Sequence, residues 1–265
     1  MPAVATAPMI RREIGDDHIC VMTFDRAKSG ANIFDEVTLD ELNEHLDFIE
    51  NDASVRGLII ASAKKSIFVA GADLKTLSEQ AQRGEMRGFI AKGQRIFNRI
   101  ADLKIPTIAA IHGAAAGGGY EVALACDYRV ATDDPATKIG LPETGLGLIP
   151  AWGGCTRLPR LIGDEKAAEV ILNGKLYSAQ EALTLGLVDE VVARDQLMDR
   201  AREKLGAGKP ASNKTSANFC AIVGVSLEGL MITVFPATSA AVAIPARIAK
   251  AKFHGGITIP TPSGM

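Results

Sequence analysis

Ile111-His-Gly-Ala-Ala-Ala-Gly-Gly-Gly-Tyr-Glu121-Val-Ala-Leu-Ala-Cys126-Asp-Tyr-Arg-Val-Ala131 decides how the chain is built. The segment leaves a strand-like run, Thr107–Ile111, and crosses three consecutive glycines. It continues as a helix from about Gly119 to Cys126, then enters a second strand-like run, Asp127–Ala131. Strand, helix, strand at this spacing is the signature of parallel strands joined by crossover helices. Upstream, His18–Phe24 is β-rich and Arg26–Gly30 reads as a loop. Asp35–Glu50 carries Val37, Leu39, Leu42, Leu46 and Ile49 at helical spacing. Val55–Ala61 returns to a buried-strand pattern, and a long helix is expected over Met86–Leu103, ending before Pro106.

Beyond Pro150 the pattern turns mostly helical, over Asp164–Leu172, Ser178–Leu185 and Arg194–Leu205, with a short strand at Val188–Val192. Asp164 and Ser178 suit helix N-caps, and Gly186 suits a helix end. The expectation is an α/β core over residues 1–205. From Gly206 the composition shifts to Gly, Lys, Pro, Ser and Asn, a linker into a C-terminal helical or oligomerisation segment over residues 206–254. Residues 255–265 read as a tail.

Composition narrows the functional classes. With 47% hydrophobic residues, the 265-residue chain holds enough apolar material for a sizeable core. A formal net charge of −2 without a basic run gives no reason to expect a nucleic-acid partner or an acidic membrane surface. Cys20, Cys126, Cys155 and Cys220 are widely spaced with no C-x-x-C pair, so they read as reduced thiols of a cytoplasmic protein. The N-terminus lacks the basic-then-apolar order of a secretory signal. Phe219–Phe235 is apolar, but as a helix it would reach only about 26 Å, short of a ~30 Å hydrocarbon core. Glu228 within it adds a further penalty. It is expected to be a buried or subunit-contacting segment.

Two glutamates stand in nearly uncharged, glycine-rich sequence: Glu121, and Glu143 in Gly140-Leu-Pro-Glu-Thr-Gly145. Apolar surroundings penalise an ionised carboxylate by several kcal/mol unless it is compensated. A partly desolvated pair suits proton transfer near neutral pH. A helix starting at the three glycines presents unpaired N–H groups and a partial positive charge, a natural receptor for an oxygen that becomes negative. Phe68-Val-Ala-Gly-Ala-Asp73 is a second uncrowded loop able to supply another N–H. On pattern alone, a glycine turn beside a surface glutamate, and a helix cap at Asp73, remain open alternatives.

The order Phe68-Val-Ala-Gly-Ala-Asp-Leu74, Gly113-Ala-Ala-Ala-Gly-Gly-Gly-Tyr-Glu121, Cys126-Asp-Tyr-Arg-Val-Ala131 and Ile139-Gly-Leu-Pro-Glu-Thr-Gly-Leu-Gly147 resembles the enoyl-CoA hydratase/isomerase (crotonase) superfamily. With Pro150-Ala-Trp-Gly-Gly154 it looks most like the hydratase part of bacterial multifunctional fatty-acid oxidation α subunits, over roughly Asp16–Leu205. The resemblance implies the ClpP/crotonase-like fold of stacked β-β-α units with a helical C-terminal part, assembled as a homotrimer or hexamer. It implies that Ala72 and Gly118 N–H groups hold the thioester oxygen, and that Glu121 and Glu143 hold and activate water. Ala70, Asp73 and Leu74 match the region that binds the adenine end of coenzyme A, largely through backbone atoms. Lys28 and Lys75 are candidate phosphate partners by residue type and neighbourhood. The reaction implied is hydration of a 2-enoyl-CoA. It needs no cofactor, since coenzyme A is part of the substrate, and a thiolase subunit is a candidate partner.

Rival readings are a Δ3-Δ2-enoyl-CoA isomerase, which the presence of both glutamates disfavours, and a non-catalytic acyl-CoA-binding homologue. Gly224–Gly229 has the wrong spacing for a nucleophile elbow, and Gly145–Pro150 lacks the third glycine of a dinucleotide fingerprint. His18, His45, His112 and His254 lack ligand spacing, so no metal is expected. His112 reads as structural. Trp152 reads equally as an acyl-pocket wall or as core.

Overall fold

From Gly57 to Gly140 consecutive strands alternate between two sheets, and that alternation organises the molecule. A computed structural model describes residues 7–210. Residues 211–254 of the expected C-terminal helical or oligomerisation segment, with the apolar run Phe219–Phe235, Cys220 and His254, and the tail 255–265 lie outside the described residues.

The larger sheet holds β1 (Ile10–Ile14), β2 (Ile19–Phe24), β3 (Gly57–Ser62), β5 (Thr107–Ile111), β7 (Tyr128–Thr132) and β10 (Glu190–Val192), in that spatial order. Only β1 and β2 pair antiparallel; the other neighbours are parallel. The smaller sheet takes the intervening strands: β4 (Ile67–Val69), β6 (Ala114–Ala116), β8 (Lys138–Gly140) and β9 (Leu176–Ser178). The first three are parallel and β9 is antiparallel to β8. Each turn of chain thus gives a strand to one sheet, a strand to the other, and then, in the first two turns, helix. This is the stacked β-β-α crotonase fold.

The intervening helices are α1 (Glu36–Asn51), α2 (Leu74–Arg83), α3 (Met86–Asp102), α4 (Gly118–Ala125), α5 (Gly154–Ile162), α6 (Asp164–Asn173), α7 (Ala179–Leu185) and α8 (Leu197–Leu205). Every residue of β3 and β5 is buried, as befits parallel strands covered on both faces. On one face, Ile59, Ala61, Ile108, Ala110 and Val130 meet Leu197, Ala201 and Leu205 of α8. Burying each large aliphatic side chain contributes about 1.5–3 kcal/mol, so this contact anchors α8 to the sheet.

Three local expectations need correction. In α1, Val37 is 55% exposed and Thr38 is buried in its place, because the Asp35 cap accepts from Thr38 N and Oγ1 and draws that residue inward. Asp164 is the first helical residue and not the cap of α6; Gly163 holds that position. Arg194–Leu205 splits into a 3₁₀ turn, Arg194–Gln196, followed by α8. The start of the linker is held on the core: Tyr128 Oη donates to Gly208 O at 2.9 Å, and Lys209 Nζ lies 2.9 Å from Asp127. Ser178 and Gly186 do cap α7, Ser178 through a reciprocal capping box with Glu181.

Candidate active site

The small sheet brings the two glycine-rich loops together. Parallel pairing of β4 with β6 sets Ile67 beside Ala114 and Val69 beside Ala115, so the chain leaving each strand emerges at the same edge. Buried Asn32 fastens the first loop. Its side-chain amide nitrogen is within donating distance of Phe24 O, Ser62 Oγ and Phe68 O at 2.9–3.1 Å, and its backbone carbonyl accepts from Ala70 N at 2.8 Å. Next, Phe34 N donates to Gly71 O (2.8 Å) and Asp73 N donates to Phe34 O (2.9 Å). These bonds bracket Ala72 and leave its own N–H without an acceptor among the described residues.

Gly118 opens α4, and its N–H likewise has no acceptor among the described residues. The two donors border one small space. A Cβ built on Gly71 would stand 3.2 Å from Gly118 N, and one built on Gly118 would stand 3.4 Å from Ala72 N. Such a pair at a helix N-terminus is equipped to receive developing negative charge.

Glu121, one turn into α4, is 2% exposed. Burial raises its pKa well above the ordinary carboxylate range. Backbone N–H groups of Gly154, Trp152 and Gly153 and the charge of Arg157 oppose that rise. Its Oε1 accepts from Gly154 N at 2.8 Å. Glu143 begins a 3₁₀ turn, Glu143–Leu146, and its Oε1 would lie 3.0 Å from a Cβ placed on Gly117. Its Oε2 is buried with no hydrogen-bond partner. Burial raises this pKa too, and the negative charge of Glu121 raises it further. Glu121 is therefore supplied with several donors while Glu143 has only its own backbone N–H to oppose the rise, and each penalises ionisation of its neighbour.

The remaining sequence candidates divide. Ala70 and Leu74 are exposed beside the Ala72 loop. The Asp73 carboxylate caps α2, accepting from Thr76 N (3.0 Å) and Thr76 Oγ1 (2.9 Å), so its side chain is already engaged. Lys75 is exposed and reaches Glu79 at 3.8 Å, and Lys28 is exposed in a positive-φ turn. His112 is buried with Nε2 2.6 Å from Lys64 O, and burial lowers its pKa. No cluster of three or more metal-ligating side chains occurs among the described residues, nor is any described helix long and apolar enough to cross a membrane.

Three further residues support the site, of which only Trp152 stands out in the sequence. Trp152 packs edge-on against Phe34, Phe89 and Phe97, with ring centroids 5.5–5.7 Å apart, and its six-membered ring lies beneath Gly118. It is a core residue that also floors the N–H pair. Asn32 carried only the faint signal of a polar residue leading into Ile33-Phe34. Arg157 carries no sequence signal beyond its charge, but Nη1 donates to Trp152 O at 3.0 Å and Nη2 donates to Asn98 Oδ1 at 2.6 Å.

The enoyl-CoA hydratase/isomerase family profile matches residues 15–230. The chain is 41% identical over 214 residues to the fatty acid oxidation complex subunit alpha of Shewanella baltica strain OS155, covering 81% of this chain and 30% of that one. It is 41% identical over 203 residues to the subunit of the same name from Aliivibrio fischeri, covering 76% of this chain and 29% of that one. It therefore spans under a third of the length of these relatives. Among solved structures, enoyl-CoA hydratase from Bacillus anthracis aligns with a TM-score of 0.70 and 36% identity, covering 76% of each chain. Pseudomonas aeruginosa DspI aligns with a TM-score of 0.70 and 29% identity, covering 78% of this chain and 82% of that one.

Proposed function

This chain belongs to the enoyl-CoA hydratase/isomerase family, and on that premise we propose that it adds water across the 2,3 double bond of a 2-enoyl-CoA thioester. The observation that carries the proposal is the conjunction of Glu121 and Glu143 with the two unspent N–H groups of Ala72 and Gly118.

In this scheme the thioester carbonyl oxygen sits between the Ala72 and Gly118 N–H groups, with the positive end of α4 behind it. A water molecule is held by both carboxyl groups. Glu121, supplied with the Gly154 N–H and near Arg157, keeps the negative charge and takes the proton from water as its oxygen bonds to C3. The displaced π electrons reach the thioester oxygen as an enolate, which the two N–H groups stabilise; one such donor is worth about 2.7–4 kcal/mol. Glu143, without a donor on Oε2, carries the proton and delivers it to C2. A proton then passes from Glu121 to Glu143 to restore the starting state. Ala70, Asp73 and Leu74 offer backbone atoms to the adenine end of coenzyme A, and Lys28 and Lys75 offer charge to its phosphates. No other cofactor or metal takes part in this scheme.

We extend the proposal, by resemblance, to fatty-acid degradation in the cytoplasm, to assembly as a homotrimer or hexamer, and to a thiolase subunit as partner. Crotonyl-CoA hydration, followed as loss of the enoyl absorbance, tests the activity. Glu121→Gln and Glu143→Gln are each expected to lower kcat by about 100-fold or more. Parental turnover in either variant would sink the two-carboxylate scheme. Turnover of a 3-enoyl-CoA with none of the 2-enoyl isomer would make the protein an isomerase. Tight acyl-CoA binding with neither reaction would make it a binding homologue. A native mass measurement tests the assembly.

A further inference from the structure

Glu121 receives its hydrogen bond from the short turn that leads into α5. Trp152, Gly153 and Gly154 all point N–H groups toward the Glu121 carboxylate. Gly153 adopts φ +121°, a conformation open to glycine and strained for other residues. Gln94 of α3 donates to Ala151 O at 2.7 Å just before the turn, and a side chain from the helix it begins clasps the turn itself. Arg157 reaches back so that Nη1 donates to Trp152 O at 3.0 Å, while Nη2 donates to Asn98 Oδ1 of α3 at 2.6 Å. A Cβ on Gly153 would run into the Arg157 guanidinium, so the same glycine that permits the turn also makes room for the clasp.

We propose that Arg157 is a positioning residue for Glu121: its planar fork ties the Trp152–Gly154 turn to α3, fixing the N–H groups that orient the carboxylate. This rests on the reading of Glu121 as the group that takes the proton from water. An arginine suits the task because its guanidinium stays charged under burial and presents donors in a rigid plane. The charged groups facing the pair are few. Glu121 faces Glu143 from the 3₁₀ turn and Arg157 from α5. Arg157 in turn feels Glu121, Arg160 on its own helix, Asp102 of α3 and the Cys126 thiol beyond α4. Burial opposes the Arg157 charge and Glu121 supports it, so the two groups depend on one another.

The test compares the full-length parent with Arg157→Gln and Arg157→Lys in crotonyl-CoA hydration, from about pH 5.5 to about pH 9.5, taking kcat and KM at each pH. Arg157→Gln should lower kcat by about 10- to 100-fold with KM within about threefold, and should move the acid limb of kcat/KM up by about one pH unit. Arg157→Lys keeps the charge but loses the two-pronged hold. Its acid limb should stay in place while kcat falls by about three- to tenfold. An Arg157→Gln profile that is only the parental curve scaled down would show a merely structural residue and overturn the proposal. Should Arg157→Gln fail to fold, Arg157→Lys decides: parental kcat overturns the proposal and a selective kcat loss supports it. If the parent itself does not hydrate crotonyl-CoA, the hydratase reading fails by itself. The carboxyl carbon-13 titration of Glu121 then tests the clasp directly, with an upward shift in Arg157→Gln expected and an unmoved titration refuting it.

Discussion

Substituting Gly118 by alanine separates packing from chemistry at the centre of this fold. The added methyl would meet Trp152 at 2.7 Å from Cζ3 and 2.8 Å from Cε3, where ordinary carbon contacts are about 3.5–4.0 Å. The indole has little room to retreat. Phe34, Phe89 and Phe97 crowd it at ring-centroid distances of 5.5–5.7 Å, and its Nε1 edge abuts Gly93. Overpacking of this kind costs about 1–3 kcal/mol. Because Gly118 is helical, alanine recovers up to about 1 kcal/mol of helix propensity. The net loss should be about 0.5–2 kcal/mol, a fall in Tm of about 1–8 °C for a chain of this size. The same methyl stands 3.4 Å from Ala72 N and crowds the space proposed for the thioester oxygen. Hydration should therefore fall by about 10²–10³-fold, the usual loss for one oxyanion donor. Thermal melts and crotonyl-CoA kinetics are the assays. A second substitution, Trp152→Phe, should offset part of the stability loss, giving a coupling of about 1 kcal/mol, without restoring turnover. A Gly118→Ala protein with parental Tm and parental kcat would refute this reasoning, because the indole and the N–H pair would then not be held as described.

Two further outcomes follow from the same geometry. Glu143 has a folded pKa raised by burial and by Glu121, so the folded state holds its proton more tightly than the unfolded chain does. Its contribution to stability must therefore fall as pH rises from the ordinary glutamate value through the raised one, at about 1.4 kcal/mol per unit of displacement. Glu143→Gln should match the parent in Tm near pH 5 and exceed it near pH 9 by roughly 1–3 kcal/mol of stability; a gap that does not widen with pH would contradict the burial argument. Asp73→Ala removes the cap of α2 and should cost about 0.5–2 kcal/mol in a denaturant titration. KM for crotonyl-CoA should stay within about threefold, since the carboxylate is already committed to Thr76. A large rise in KM with unchanged stability would instead give that side chain to the ligand.

Much of the larger sheet was legible because its strands are long enough to show their character. Leu58–Ala61, Thr107–Ile111 and Tyr128–Ala131 are mostly apolar runs separated by helix-length segments, and the central strands β3 and β5 are covered on both faces. The smaller sheet was invisible for the opposite reason. Strands β4, β6, β8 and β9 have three residues each, too few for a period of two to emerge. Ala114–Ala116 carries no β-propensity at all and pairs because its neighbours leave backbone groups to be satisfied. Val37 misled because helical spacing describes a face without saying how wide the buried stripe is.

What the sequence determined by itself was chemical type: two carboxylates in surroundings that penalise charge, and glycines where backbone N–H groups stand open. Those properties are local, written in composition and in a helix start. Which donor serves which acceptor was decided only by the tertiary structure. Ala72 and Gly118 come together through the pairing of β4 with β6. Glu121 and Glu143 are set apart by the turn at Trp152–Gly154 and by Arg157 behind it. Hydrogen bonds and burial act over a few ångströms of space, whereas these groups lie tens of residues apart along the chain. The fold therefore distinguishes two glutamates that the sequence presents as alike.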